Sequence, residues 1–218
     1  MTNEILFFLY IILVTSLTIF FSRQGKLHLF GWMALQIILA NLFVIKQIDL
    51  FGLTVTASDI YAVGAFLTLN IIQERFGKEE ANKAIFYALS LQVAFVILSL
   101  AHLSYIPSSV DDTDNSFKTI LSPSLSIVFA SILSFLLSQK LDVWLFQFIK
   151  ERLNYPFAVR SMMSMLVSQL FDTCFFAVIA LSGRVESLTD IIIFSYAIKA
   201  LLVVTLNPSF AFAKRLYA

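Results

Sequence analysis

Charge is scarce in this chain. Only 13% of its 218 residues are Asp, Glu, Lys or Arg, and 15 basic residues nearly cancel 14 acidic ones, for a net charge of +1. Soluble domains carry about 25% charged residues, and a near-neutral balance supplies no electrostatic footprint for nucleic acid. The lone cysteine, Cys174, excludes an internal disulfide, and inside an apolar run it reads as a small core hydrophobe. The two histidines, His28 and His102, stand far apart without a metal-ligand spacing and read as interfacial residues. Six glycines form no phosphate-cradling loop, and G-x-x-x-x-G-K-[ST] is absent, so ATP is not hydrolysed by that route. H-E-x-x-H and G-x-S-x-G are also missing, which weighs against metalloprotease and serine-hydrolase chemistry. The expectation is a protein that is not an enzyme and calls for no cofactor or metal.

What the chain has is apolar length. Hydrophobic residues make up 59% of it, 23 of them Phe, and mean hydropathy is +0.88. Seven apolar runs follow one another at 5–22, 27–45, 56–73, 84–103, 119–149, 158–182 and 188–212. Most approach the ~20 residues that span ~30 Å of hydrocarbon. The pattern predicts an all-α, polytopic membrane helix bundle of about seven spans, forming a single transmembrane domain over 1–218. The third run is the weakest, with Asp59, Asn70, Gln73 and Glu74 crowding its ends. A six-span alternative makes the second or third run re-entrant. The fifth is too long for one perpendicular span, so it is expected to tilt or project into the cytoplasm.

Lys and Arg fix an orientation. Arg23 and Lys26 follow the first run, Arg75, Lys78 and Lys83 the third, and Lys150, Arg152 and Arg160 the fifth; Lys214 and Arg215 end the chain. The opposite connections hold Lys46, Lys118 and Arg184, ten against three, with Lys140 and Lys199 inside runs. This alternation predicts seven spans with the N-terminus outside and the C-terminus in the cytoplasm. The connection at 104–118, with Asp111, Asp112 and Asp114, suits the outer face. Met1-Thr2-Asn3-Glu4 lacks the basic start of a cleaved signal, so the first helix reads as a retained anchor.

One motif occurs twice. Ser138-Gln139-x-x-Asp142-x-x-x-Phe146 returns as Ser168-Gln169-x-x-Asp172-x-x-x-Phe176, each inside an oily run. On a helix, residues spaced three and four apart share a face, so each copy draws a polar stripe. A carboxylate at the membrane centre costs about 2.5–3.5 kcal/mol by insertion scales and so faces protein or a water-filled path. Such stripes serve either as glue between helices or as a ligand site, and repetition of the whole stripe favours the site. Asp142 lies eight residues from Lys150 and Asp172 twelve from Arg160, or ~12 and ~18 Å along their helices. Their helices run in opposite directions, so the two carboxylates are expected to meet at similar depth. Gln36 and Asn41 read either as glue or as further members of the cavity. Asn70, Gln73 and Glu74 form an i, i+3, i+4 stripe, either an ordinary helix end or part of the site. Lys199 should pair with Asp142, Asp172, Glu74 or Asp59, because an unpaired cation there is costly. Asn207-Pro208 should kink the last helix and free a carbonyl.

Three segments carry a resemblance: Asn70-Ile71-Ile72-Gln73-Glu74-Arg75-Phe76-Gly77-Lys78 with Ala81, then Ser138-Gln139-x-x-Asp142-Val143-x-Leu145-Phe146, then Arg160-Ser161 leading to Ser168-Gln169-x-x-Asp172-Thr173. In order and over residues 70–176, they make the chain resemble the queuosine-precursor transporter family, also described as vitamin uptake transporters. The family often carries Asp where Asn70 stands, so a charged role at that position is not carried over. The resemblance implies similarity to small six-span substrate-binding subunits of vitamin importers, working without a dedicated ATPase in the cytoplasmic membrane of a bacterium. It also implies a 7-deazaguanine ligand such as preQ0, preQ1 or queuine. A carboxylate can accept the adjacent N–H donors of such a base, amides can pair with its other edge, and aromatic rings can stack on it. Asp142 or Asp172 is assigned the base edge, and Gln139 and Gln169 its amide and carbonyl groups. Phe146 and Phe176 are the stacking candidates, with Trp144 close by; Asn70, Gln73, Glu74 and Lys199 complete the set. The expected partners are a small-molecule base and the lipid bilayer, with a homodimer allowed. Alternatives are a binding subunit that borrows an external ATPase, a structural membrane subunit without a ligand and, last, an intramembrane enzyme.

Overall fold

A backbone in hydrocarbon must satisfy its own hydrogen bonds, so long apolar runs become helices. The computed structural model describes residues 2–122, 125–153, 155–181 and 188–214, with side chains described except at 53–54, 125–127, 181 and 208–214. The order is α1 (Thr2–Gln24), α2 (Lys26–Phe43), β1 (Gln47–Leu50), β2 (Leu53–Thr56), α3 (Asp59–Phe76), α4 (Lys78–His102), α5 (Asp114–Leu121), α6 (Leu125–Arg152), α7 (Phe157–Phe176) and α8 (Leu188–Lys214). A π-helical turn, Ala177–Leu181, extends α7. Among the described residues six helices, α1, α2, α4, α6, α7 and α8, are long and apolar enough to cross a membrane. Large apolar side chains such as Ile12, Leu98 and Phe129 point outward, as lipid contact requires, while Leu29, Met33, Leu69, Ile85 and Leu202 fill the interior. The result is the expected all-α membrane bundle.

The remaining long helix, α3, is the centre of that bundle. It packs against α1, α2, α4, α6, α7 and α8, and every residue from Val63 to Gln73 is buried. Protein surrounds it on all sides, so it can carry Thr68, Asn70 and Gln73 where a lipid-facing helix could not. The same polar residues made its run the weakest in hydropathy. Gly64 permits the close approach of α1 and α2. A Cβ there would stand 2.8 Å from Gln36 Nε2 and 3.1 Å from Val14 Cγ1. Gln36 Oε1 accepts from Thr68 Oγ1 at 3.1 Å, joining α2 to α3.

Two local features differ from expectation. The third run does not begin as a helix: β1 and β2 pair antiparallel around Phe51-Gly52, whose φ angles are +53° and +79°. Two positive-φ residues suit the tight hairpin turns that match strand twist. Asn3 Nδ2 donates to Asp49 O at 2.9 Å, pinning the hairpin to the start of α1. The fifth run is two helices, the short α5 ending at Leu121 and α6 beginning at Leu125. At 28 residues α6 alone is still ~42 Å long, longer than the hydrocarbon layer. Within α8, Asn207 Nδ2 donates to Val203 O at 2.9 Å, one turn back along the helix. Arg184 and Arg215, both part of the charge asymmetry, lie outside the described residues.

Candidate functional site

The two motif copies lie on α6 and α7, which pack against each other in opposite directions. Ser134 Oγ and Ser138 Oγ of α6 donate to Asp172 Oδ1 of α7 at 2.7 and 3.4 Å. Reciprocally, Ser164 and Ser168 of α7 stand beside the Asp142 carboxylate of α6. Each copy's serine thus meets the other copy's aspartate, a two-fold relation with Gln139 and Gln169 at one level in the middle. This register corrects one expectation. The carboxylates do not meet: they sit in successive layers about six residues apart, or ~9 Å along the helices.

Sequence symmetry ends at the environment of each aspartate. Asp172 is charge-compensated, with Lys199 Nζ of α8 donating to its Oδ2 at 3.0 Å and to Thr173 Oγ1 at 3.2 Å. Asp59, at the start of α3, lies near enough to feel both charges. Of the four partners considered for Lys199, the bonded one is therefore Asp172. Among the described residues Asp142 has no cation partner. It is fully buried, and neither of its oxygens reaches a hydrogen-bond partner among the described residues, although Asn70, Ser164 and Ser168 stand nearby. Gln139 and Gln169, also fully buried, leave both amide atoms without partners, as Ser168 leaves its Oγ and Asn70 its Oδ1. The large majority of buried side-chain polar atoms in folded proteins find a partner in protein or ordered water, and an unbonded one costs about 1–3 kcal/mol. Eight such atoms on five side chains in one region make this the most polar unbonded cluster among the inner helices described.

The other candidates flank this cluster. Asn70 Nδ2 donates to Ser161 Oγ at 3.2 Å and Ser164 Oγ at 3.4 Å, placing α3 against α7. Gln73 Nε2 donates to Val143 O at 2.9 Å and Gln147 Oε1 at 3.2 Å, which turns it toward α6. Glu74 lies one turn beyond Asn70 and is ion-paired, accepting from Arg160 Nη2 at 2.8 Å and Lys150 Nζ at 3.0 Å. Phe146 is buried, edge-on to Phe157, with the Arg160 guanidinium 5.2 Å from its ring centre. Phe176 is half-buried. Trp144 is 54% exposed and stacks on Phe148, facing away from the stripe.

Sequence reading passed over Ser134, Ser161 and Ser164 as site neighbours. Their spacing held the signal: Ser134 lies one turn before Ser138, and Ser161, Ser164 and Ser168 step along α7 by three and four. A cavity of about 70 Å³ between α2, α4 and α6 touches Asn41, Gln92, Ser99 and Ser131 but none of the motif residues. Among the described residues no group of three or more His, Cys, Asp or Glu could hold a metal.

A multi-pass membrane bundle that keeps an unbonded carboxylate, two amides and a hydroxyl between its inner helices has the build of a small-solute transporter. The chain belongs to the family described as "Putative vitamin uptake transporter", whose model matches residues 56–213. It is 31% identical over 186 residues to a protein of Bacillus subtilis (strain 168) described as "Probable queuosine precursor transporter", a match covering 83% of this chain and 80% of that protein. No solved structure matches the chain. The family is one of transporters rather than enzymes, as the three motifs implied.

Proposed function

We propose that this protein imports a 7-deazaguanine precursor of queuosine, such as preQ0, preQ1 or queuine, across the cytoplasmic membrane without an ATPase of its own. The observation that carries this reading is the cluster of unbonded polar atoms on Gln139, Asp142, Ser168, Gln169 and Asn70. A guanine-type base presents two adjacent N–H donors, and the two free oxygens of Asp142 form the matching acceptor pair. Gln139 and Gln169 each offer an NH2 group with two donors and a carbonyl acceptor for the base's carbonyl and remaining edge. Asp142 is the better candidate for the base edge, because Lys199 already engages Asp172. The name of the Bacillus relative supplies the substrate class. With no Walker-type loop in the sequence, transport follows the substrate gradient, a coupled ion, or trapping of the base in tRNA.

The test is complementation of a bacterium that lacks its own transporter and cannot make the precursor, with each base supplied separately and queuosine in tRNA as the readout. Rescue by at least one base is expected. Failure with all three removes the substrate assignment, and rescue that requires a co-expressed importer ATPase transfers the protein to the energised class.

A further inference from the structure

Two layers of ion pairs bracket the unbonded cluster, one on each side. Toward the hairpin face, Lys199 of α8 holds Asp172 of α7 at 3.0 Å, with Ser134 and Ser138 of α6 on the same carboxylate. Toward the opposite face, Glu74 of α3 holds Arg160 of α7 at 2.8 Å and Lys150 of α6 at 3.0 Å. The order repeats on each helix that reaches both layers. On α7, Arg160 comes first, then Ser164, Ser168 and Gln169, then Asp172; on α6, Ser138 comes first, then Gln139 and Asp142, then Lys150. In both helices the layers are twelve residues apart, or ~18 Å. Gln139, Asp142, Ser168 and Gln169 have no exposed surface, so the site is sealed from both faces while both layers are bonded.

We propose that these layers are the two gates of the transport cycle, that Lys199–Asp172 closes the hairpin side and Glu74–Arg160–Lys150 the other, and that the structure is the occluded state. The inference rests on the proposed site, since a gate has meaning only around it. Two separate layers allow one to open while the other stays shut, which carrier transport requires. Both involve α6 and α7, but they use different side chains and each engages one further helix of its own, α8 or α3, so breaking one leaves the other's contacts in place. The hairpin-side layer ties α7 to α8 and α6, and the opposite layer ties α3 to α6 and α7.

The test reads access to the site and needs no substrate, so it remains informative if the identity of the base is wrong. Ser168→Cys places a thiol in the cluster, and Cys174→Ala makes it the sole cysteine. An impermeant maleimide is then applied to right-side-out and inside-out vesicles. The parent should label slowly from both faces. Lys199→Met should speed labelling by about tenfold or more from the hairpin face alone, and Glu74→Gln from the opposite face alone, because loss of a latch shifts the open population in proportion. Asp172→Asn and Arg160→Gln remove the same latches from their other partners and repeat the test should a first variant fail to insert. Unchanged labelling in inserted variants, or faster labelling from both faces at once, overturns the proposal.

Discussion

Asp142 and Asp172 hold equivalent places in one repeated motif, and their surroundings give them different work. Lys199, with 9% of its side chain exposed, is held by Asp172, with 20% exposed. Breaking a wholly buried pair from one side costs about 3–5 kcal/mol, and the partial exposure of Asp172 moves its loss toward ~2–3 kcal/mol. Asp172→Asn should therefore lower the melting temperature of the purified protein, and the double change Asp172→Asn with Lys199→Met should recover much of the loss by removing the stranded cation. Asp142→Asn should leave the melting temperature near native, because no protein bond to Asp142 is lost. Equal destabilisation by both single changes would sink the distinction. The repeat, its polar faces and the need of Lys199 for a counter-ion were legible in the sequence. Which aspartate Lys199 meets was not, because that depends on the register between α6 and α7. Motif spacing sets register within a helix and says nothing of the slide between two.

Among the elements, α3 has the most demanding position. Its run looked weak because hydropathy measures fitness for lipid, and α3 meets protein on every side. Gly64 is where that crowding is tightest, with Gln36 and Val14 only 2.8 and 3.1 Å from where a Cβ would stand. A leucine there must displace α1 or the buried Gln36 amide. Overpacking of this kind costs about 1–3 kcal/mol, so Gly64→Leu should lower thermal stability, as read by melting in detergent; an unchanged melting temperature would mean that the α1–α2–α3 contact is looser than the geometry states. The hairpin at 47–56 escaped the sequence reading because two four-residue strands are shorter than any hydropathy run. Its signals were local: Gly52 at the turn and β-branched Thr54-Val55-Thr56 after it. Helix α5 ends at Leu121, and the sequence signal for that end is Pro123, because proline biases the preceding residue, Ser122, away from helix.

For the whole molecule, the asymmetry of Lys and Arg predicts an orientation that can be tested directly. Reporter fusions after Arg23, Lys78 and Arg152 are expected to read cytoplasmic, and a fusion at Asp112 external. A cytoplasmic signal at Asp112 would reverse the molecule and, with it, which face each ion-pair layer closes. The central proposal is independent of orientation: the polar side chains between α3, α6 and α7 form the ligand site. Its most direct measurement is calorimetric titration of the purified protein with preQ0, preQ1 and queuine, run in parallel on the wild type and Asp142→Asn. Saturable binding of one base per chain is predicted for the wild type. Loss of a charged hydrogen bond, ~1.5–3 kcal/mol, should weaken it by roughly 10- to 150-fold in Asp142→Asn. Equal affinity in the two proteins, or no binding of any base to a well-folded wild type, would contradict the account.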